Sequence, residues 1–236
     1  MNSASIAPVQ QIMLLGSPRI SVVLRRSKRA RRMSLRVSRL KGLVTLSLPI
    51  SCPMAQAEKF VFEKESWIRA HLADLPPTAE AMLGGTFLYQ GQLLTICPGQ
   101  GRQVRAIGEE LLVPGPEAMV GARVKAFLKL QARMRLQEAT ERYAVALGKP
   151  YGRLTLRDTT SRWGSCSTQG NINYSWRLIM APPEVLDYVA AHEVAHLAEM
   201  NHSARFWAVV ERLFPNHAEQ RAWLREHGED LHRYLF

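Results

Sequence analysis

Long apolar runs and paired cysteines are both missing from this sequence. The run IMLLG at 12–16 is far shorter than the roughly 20 residues of a membrane-spanning helix, and no basic segment precedes it as in a secretory signal peptide. The three cysteines, Cys52, Cys97 and Cys166, lie far apart and outside any CxxC pair. This spacing argues against a disulfide framework and against a cysteine zinc site, so we expect a cytoplasmic protein with no membrane partner.

Acidic residues are missing from the first 57 positions, where ten lysines and arginines occur. The rest of the chain is nearly balanced, so most of the net charge of +11 comes from the stretch RRSKRARRMSLRVSRLK at 25–41. Such a cluster attracts polyanions, which allows a nucleic-acid partner at these residues. A solvated strand face and turn would carry the same residues and is the favoured interpretation, since charge alone is weak evidence of a partner; a transit peptide would also carry them. The strand pattern in this stretch argues against the transit peptide.

Two segments of the basic region alternate apolar and polar residues with a period of two, which is typical of half-buried antiparallel strands. The β-branched run ISVVLRR at 20–26 precedes them. A short turn, LKG at 40–42, would join the two alternating segments. Their apolar sides consist of Met33, Leu35 and Val37 in the first and of Val44, Leu46 and Leu48 in the second.

Helical spacing occurs in two longer segments, over 54–75 and over 117–147. The first helix would end at the prolines at 76 and 77. Between the two helices, TFLYQGQLLTI at 86–96 predicts a hairpin around Gly91. The predicted buried faces are Phe60, Trp67, Ile68 and Leu72 in the first helix and Val120, Val124, Leu128, Ala132, Leu136, Ala139, Tyr143 and Leu147 in the second.

The turn signal VPGP at 113–116 is the best candidate for a domain boundary. After the long helix come three short strand-like pieces, at 152–158, 162–167 and 170–176. Two helices follow them, at 181–200 and 204–214. We therefore expect an α+β fold, with a β-rich basic N-terminal region over 1–116 and a second domain over 117–236.

The segment AAHEVAHLAEMNH at 190–202 carries three of the chain's seven histidines. On a helix, His192 and His196 project from one face about one turn apart, as two nitrogen ligands of a tetrahedral Zn²⁺ do. His202 is the natural third ligand, because a catalytic zinc takes three protein ligands and leaves a fourth place for water. The spacing therefore predicts a zinc site at these three histidines.

The spacing of this motif matches that of metzincins, but Glu199 replaces their glycine and no methionine follows Met200. We therefore expect the helix to run slightly further and Asn201 to provide the left-handed conformation that ends it. Glu199 is an alternative third ligand, but it is disfavoured because it lies on the same helix as His192 and His196.

Glu193 follows the first predicted ligand directly. In such sites the glutamate at this position does not bind the metal and acts as general base toward the zinc-bound water. A surface helix with chance histidines is the alternative, and the third histidine at a known spacing argues against it.

The motif SRWGSC at 161–166 allows two interpretations. Arg162 and Trp163 could frame an edge strand on which a peptide lies. Packing is favoured instead, with Trp163 beneath the active-site helix and Cys166 as a small core residue, since a lone cysteine without a paired base is seldom a nucleophile. Candidates for stabilising the transition state, among which the sequence does not choose, are His217, Tyr174 and Tyr188.

The segment SRWGSCSTQGNINYSWRLIMAPPEVLDYVAAHEVAHLAEMNHSARFW at 161–207 closely resembles the YgjP-like metallopeptidase domain, a zincin family related to SprT-like and WLM proteases. The likeness extends over roughly residues 20–230. It implies a zincin-like domain in which a small sheet packs on the active-site helix, with Glu193 as the catalytic residue. The zinc ligands that it implies are His192, His196 and His202.

These features together predict a zinc metallopeptidase that acts on protein or peptide substrates. A zinc-activated water would attack the peptide carbonyl, and Glu193 would take its proton and pass it to the leaving amine. A metal-dependent nucleic-acid hydrolase, such as a single-strand endoribonuclease, would explain the basic stretch 25–41 but would not need Glu193. A protease guided to DNA would use both features.

Overall fold

The computed structural model of the chain describes residues 10–38, 42–75 and 78–236. The prolines expected to end the first helix, and most of the turn expected at 40–42, lie outside these residues. The chain divides into two compact units, Met1–Pro77 and Thr78–Phe236, and each has its own hydrophobic core. None of the helices in the described ranges has the length and apolar character needed to cross a bilayer.

In its described residues, the first unit consists of a four-stranded sheet and two helices. Its elements are β1 (Gln11–Leu14), β2 (Ile20–Ser27), β3 (Ser34–Val37), β4 (Val44–Pro49), α1 (Met54–Glu63) and α2 (Glu65–Ala73). The strand order is β1-β2-β4-β3. Val44, Leu46 and Leu48 are fully buried, as the alternating pattern predicts.

The antiparallel pairing predicted for the two alternating segments is present, and next to it lies a parallel pairing that the sequence did not indicate. β3 pairs with β4 antiparallel, but β2 pairs with β4 parallel, with Leu24 beside Leu46. No neighbour was predicted for β2, because alternation indicates which side of a strand faces the core and does not indicate which strand lies next to it.

The helical segment predicted over 54–75 is two helices that meet at Lys64. Ile68 is buried, and Phe60 and Leu72 are partly buried against the same core. Trp67 was expected on the buried face, but it is 40% exposed and its ring lies 3.9 Å from that of His71. Because the helix breaks at Lys64, residues before and after the break do not follow one continuous helical periodicity, and the buried face predicted for a single helix does not extend to Trp67.

The second unit contains nine strands and four helices. These are β5 (Ala79–Glu80), β6 (Thr86–Tyr89), β7 (Gln92–Gly99), β8 (Arg105–Ile107), β9 (Glu110–Pro114), α3 (Val120–Leu147), β10 (Leu154–Arg157), β11 (Gly164–Cys166), β12 (Ile172–Ser175), α4 (Pro183–Ala195), α5 (Ala204–Leu213), α6 (His217–His227) and β13 (Tyr234–Leu235). The strands form sheets of order β6-β7-β9-β8, β10-β12-β11 and β13-β5. Mixed α and β structure with a small sheet beside a helix is the fold class that the sequence predicts.

The long helix α3 runs through the core of the second unit. All residues predicted for its buried stripe are buried except Leu147, which is partly buried. Gly148 ends the helix in the left-handed conformation, with a φ of 70°. The hairpin predicted around Gly91 is also present, as β6 and β7.

The division between the units falls at residues 77 and 78, whereas the sequence indicated a boundary at 116 and 117. Phe87, Ile96 and Leu111 of the four-stranded sheet are buried in the same cluster as Val124 of α3. A turn signal such as VPGP marks where the chain changes direction and does not show whether the flanking elements share a core.

Candidate metal centre

Helix α4 carries the first part of the histidine motif and is buried on nearly all sides. It ends at Ala195, five residues earlier than the segment predicted over 181–200. Tight turns follow it, with hydrogen bonds of 2.9 Å from Leu197 N–H to the Val194 carbonyl and 3.0 Å from Ala198 N–H to that of Ala195.

The role expected for Asn201 is not found. Among the described non-glycine residues, only Gln90 and Asn216 have a positive φ. The prediction that Asn201 ends the helix in a left-handed conformation was therefore wrong. The tight turns after Ala195 redirect the chain instead, and the helix does not run further in the absence of the metzincin glycine.

The three predicted histidine ligands lie together. Their candidate ligand atoms all fall within 4.8 Å of one another, and the Nε2 atoms of His192 and His202 are 3.1 Å apart. His196 donates its Nδ1–H to the carbonyl of Glu199 over 3.0 Å, which leaves its Nε2 as the lone-pair nitrogen. Phe206 is fully buried, and its ring centre lies 4.5–4.9 Å from those of all three histidines.

This arrangement of nitrogens fits a divalent metal ion. Two nitrogens that each lie 2.0–2.1 Å from a tetrahedral zinc are about 3.3 Å apart, close to the separation of His192 and His202. Burial, together with the neighbouring His196 and His202, lowers the pKa of His192 to about 3. Burial also lowers the pKa of His196. These two imidazoles are therefore neutral near pH 7, which is the form that binds a metal.

Glu199 contacts the histidine cluster through its backbone. Its carbonyl oxygen accepts the hydrogen bond from His196 and so fixes the orientation of that ring. His202, in the segment after the helix, is the residue whose nitrogen approaches His192.

Glu193 is buried beside the histidine cluster, on the face of α4 that meets strand β11. Its side chain lies directly against Gly164, where a Cβ atom would come within 2.6 Å of the Glu193 Cγ and 2.7 Å of its Cδ. The Oε2 atom is buried and has no hydrogen-bond partner among the described residues. Burial raises the pKa of the carboxyl to about 8, although the positive charge of Arg162 acts in the opposite direction.

Strand β11 forms one edge of the sheet β10-β12-β11. Hydrogen bonds to β12 are made at either end of the strand, from Ser175 N–H to the Trp163 carbonyl (2.8 Å) and from Ser167 N–H to the Asn171 carbonyl (2.9 Å). In an antiparallel ladder such bonds occur at every second residue. The backbone groups of Gly164 therefore point away from β12, toward the open edge.

Two other residues of the SRWGSC motif, Trp163 and Cys166, have a structural role. Trp163 is partly buried against the core of the second unit, as the packing interpretation predicts, and its ring stacks on His232 at 5.2 Å and lies against Gly228. Cys166 is half-buried, and burial together with the charge of Glu193 raises the pKa of its thiol to about 11. A thiol of this kind is not a nucleophile near pH 7.

The three candidates for transition-state stabilisation have different environments. Tyr174 is fully buried and shares a 3.0 Å hydrogen bond with Thr140, so it belongs to the core. Tyr188 lies between the metal site and His217, with ring-centre distances of 5.9 Å to His192 and 6.1 Å to His217. Only Tyr188 and His217 of the three candidates therefore border the metal site.

Two contributors to the site could not be identified from the sequence. Trp207 stacks on His217 at 5.2 Å and lies 5.8 Å from His192, and Phe206 forms the floor beneath the histidines. Gly164 carried a weak signal, since a glycine within a short strand often marks a close approach of another group.

The family model of the YgjP-like metallopeptidase domain matches residues 31–227. The chain belongs to the YgjP-like metallopeptidase family. A crystal structure titled as the metallopeptidase zymogen of Pyrococcus abyssi abylysin is 24% identical and covers 38% of this chain and 93% of its own, with a TM-score of 0.35. No curated protein matches the chain. The histidine cluster and Glu193 thus lie inside the part of the chain that a YgjP-like metallopeptidase domain occupies.

Proposed function

We propose that this YgjP-like domain hydrolyses peptide bonds with Zn²⁺ held by His192, His196 and His202 and with Glu193 as general base. The observation that carries the proposal is the buried carboxyl of Glu193, which follows His192 on α4 and lies against Gly164 of the edge strand β11. A bound zinc ion would polarise the scissile carbonyl and bring the pKa of a water molecule to about 7.

The open edge of β11 would hold the substrate. An extended peptide can add to this edge as a further strand, with main-chain hydrogen bonds to the outward backbone groups of Gly164. Because Gly164 also contacts Glu193, the peptide bond nearest this residue would lie close to the carboxyl. The missing side chain at position 164 makes this close approach possible.

Glu193 would transfer the proton in both halves of the reaction. Its Oε2 has no partner among the described residues. The positive charge of a bound Zn²⁺ would favour the ionised carboxylate, which is the form that accepts a proton from the attacking water. The same carboxyl would then donate that proton to the nitrogen of the departing amine. Burial between α4 and β11 restricts the rotamers of the side chain and keeps it in place for both steps.

A second candidate function, that of a protease guided to nucleic acid, is supported by the first unit. Arg26 is used internally, since it donates 2.8 Å hydrogen bonds to the carbonyls of Ile50 and Cys52. Five other exposed cations of the basic stretch have no ion-pair partner within the described ranges, namely Arg25, Lys28, Arg29, Arg31 and Arg32. Unpaired cations so close together would suit a polyanion.

A comparison of two polymers tests the proposed chemistry. The purified protein is treated with a chelator, restored with Zn²⁺ and incubated separately with an unfolded casein-like protein and with single-stranded RNA. We expect the protein substrate to be cleaved only after zinc is restored and the RNA to stay intact. Zinc-dependent RNA cleavage with intact casein would instead establish the nuclease alternative.

A further inference from the structure

A pocket of about 260 Å³ lies on the side of the three-stranded sheet to which Ser165 points. Successive side chains of a strand point to opposite faces. Gly164 faces Glu193 and α4, so Ser165 faces the other way. The lining residues that matter here are Arg157, Thr159, Arg162, Ser165 and Asn173.

The pocket is positively charged. It is lined by two arginines, Arg157 and Arg162, and by no acidic residue. The neighbouring Asp158 is already neutralised by Arg177, which donates to its Oδ1 over 2.7 Å. The loop that carries Arg162 is held by a 2.9 Å hydrogen bond from the Thr159 hydroxyl to the Arg162 carbonyl. No acidic residue lines the pocket itself, and Glu193, whose pKa burial raises and Arg162 lowers, lies on the other face of β11, so the pocket keeps a positive charge.

A peptide on the open edge of β11 would bring every second side chain to this face. Directly opposed residues on neighbouring strands share a face, so the peptide residue opposite Ser165 would point to the pocket side. Strands lie about 4.8 Å apart, so this residue would be one strand spacing from Ser165 and two from Asn173, which pairs with Ser165. A glutamate side chain is long enough to reach the pocket, whereas an aspartate side chain is one methylene group shorter and reaches it less well.

We infer that this pocket is a substrate subsite for an anionic side chain, and that the peptidase prefers glutamate next to the residue opposite Gly164. Arg157 and Arg162 would bind the carboxylate, with Thr159, Ser165 and Asn173 as further polar partners. The inference rests on the proposed peptidase function and specifies its substrate class. Phosphoserine is also anionic, with a larger negative charge and a side chain of similar length, so it is included as a separate arm of the test.

A matched set of peptides tests the subsite. Peptides that differ at one position, carrying Glu, Asp, Gln, Lys or phosphoserine, are compared by kcat/KM with the zinc-loaded enzyme. The carboxylate of Glu would form two charge-assisted hydrogen bonds at a partly exposed site. We therefore expect kcat/KM for the Glu peptide to exceed that for the Gln peptide by about tenfold, and that for the Lys peptide by more. Phosphoserine cleaved faster than Glu would assign the pocket to phosphate instead and overturn the preference for glutamate.

Charge-reversed variants link the preference to the pocket. R157E and R162E should each remove the preference for Glu and raise cleavage of the Lys peptide. R153E makes the same charge change just before β10, at a residue that does not line the pocket, and should keep the wild-type order of the peptides. Binding of the Glu and Gln peptides to the E193Q variant, measured by fluorescence anisotropy, should show the same order without turnover. Equal cleavage of all peptides by the wild type would overturn the subsite and leave the peptidase intact, while cleavage of none would contradict the proposed function itself.

Discussion

The carboxyl group of Glu193 rests against the α-carbon of Gly164, so helix α4 and the edge strand β11 approach each other as closely as a glycine allows. This contact joins the proposed catalytic base to the strand on which the substrate would lie. Any side chain at position 164 would occupy the space that the carboxyl now fills.

Substitution of Gly164 should therefore impair catalysis without removing the metal. In G164A the added methyl group would displace Glu193, and a displacement of about 1 Å should lower kcat/KM by about 10- to 100-fold. The measurement is peptide hydrolysis together with zinc content and Tm. Wild-type kcat/KM in a folded G164A protein would show that the position of Glu193 does not matter for turnover.

The identity of the third ligand can be tested by metal affinity. H202A should lower zinc affinity by at least about 100-fold, because two imidazoles on one helix cannot close the site. E199A should bind zinc normally, since the hydrogen bond of Glu199 to His196 is made by its backbone carbonyl. H227A, which removes an exposed histidine outside the cluster, is the control. Loss of zinc from E199A with retention in H202A would reverse the assignment.

The histidine cluster could be predicted from the sequence because its three members lie within one short segment. His192 and His196 are one helical turn apart, and His202 follows six residues later, so their spacing in the sequence was enough to predict that the three side chains cluster. The path of the chain to His202 was predicted incorrectly, since it depends on tight turns after Ala195 and not on Asn201. Backbone hydrogen bonds of this kind leave no pattern in the sequence.

Contacts between distant segments account for most of what could not be predicted. Gly164 with Glu193 and Trp163 with His232 are pairs that no periodicity connects. β2 pairs with β4 in parallel, and the alternation of apolar and polar residues along a strand does not indicate which strand will pair with it. Helix α3, by contrast, was predicted almost completely, because one face of a long helix repeats the same pattern many times.

His232 should make stability depend on pH. It is 6% exposed, and burial together with the positive charge of Arg177 lowers its pKa to about 4, while Asp158 and Glu229 act in the opposite direction. The folded pKa thus lies below the unfolded value of about 6.5. The stabilisation is complete above pH 6.5 and is lost as the pH falls toward 4, because the unfolded chain takes up the proton first.

Urea unfolding of the zinc-loaded protein between pH 4 and 7 would measure this effect. The wild type should lose on the order of 3 kcal/mol more than H232Q over this range. H232Q should be less stable at pH 7, since it lacks the stacking of His232 on Trp163. Parallel curves for the two proteins would show that His232 is not the responsible group.

The basic stretch should bind nucleic acid through charge. Changing Arg25, Lys28, Arg29, Arg31 and Arg32 to Gln should abolish retention on heparin and on DNA. For the wild type, log Kd should vary linearly with log salt concentration, with a slope of roughly 0.9 per phosphate contacted. A control that removes the same number of exposed cations from the second unit should bind like the wild type. DNA binding that does not depend on salt would contradict the role of this stretch.

The role of Glu193 as general base is the central claim, and hydrolysis by E193Q tests it most directly. The amide keeps the shape of the side chain but cannot take a proton, so kcat/KM for a peptide should fall by about 10²- to 10⁴-fold while one zinc per chain is retained. E199Q, which changes the neighbouring glutamate in the same way, should cleave like the wild type. Hydrolysis by zinc-loaded E193Q at the wild-type rate would contradict the proposed mechanism.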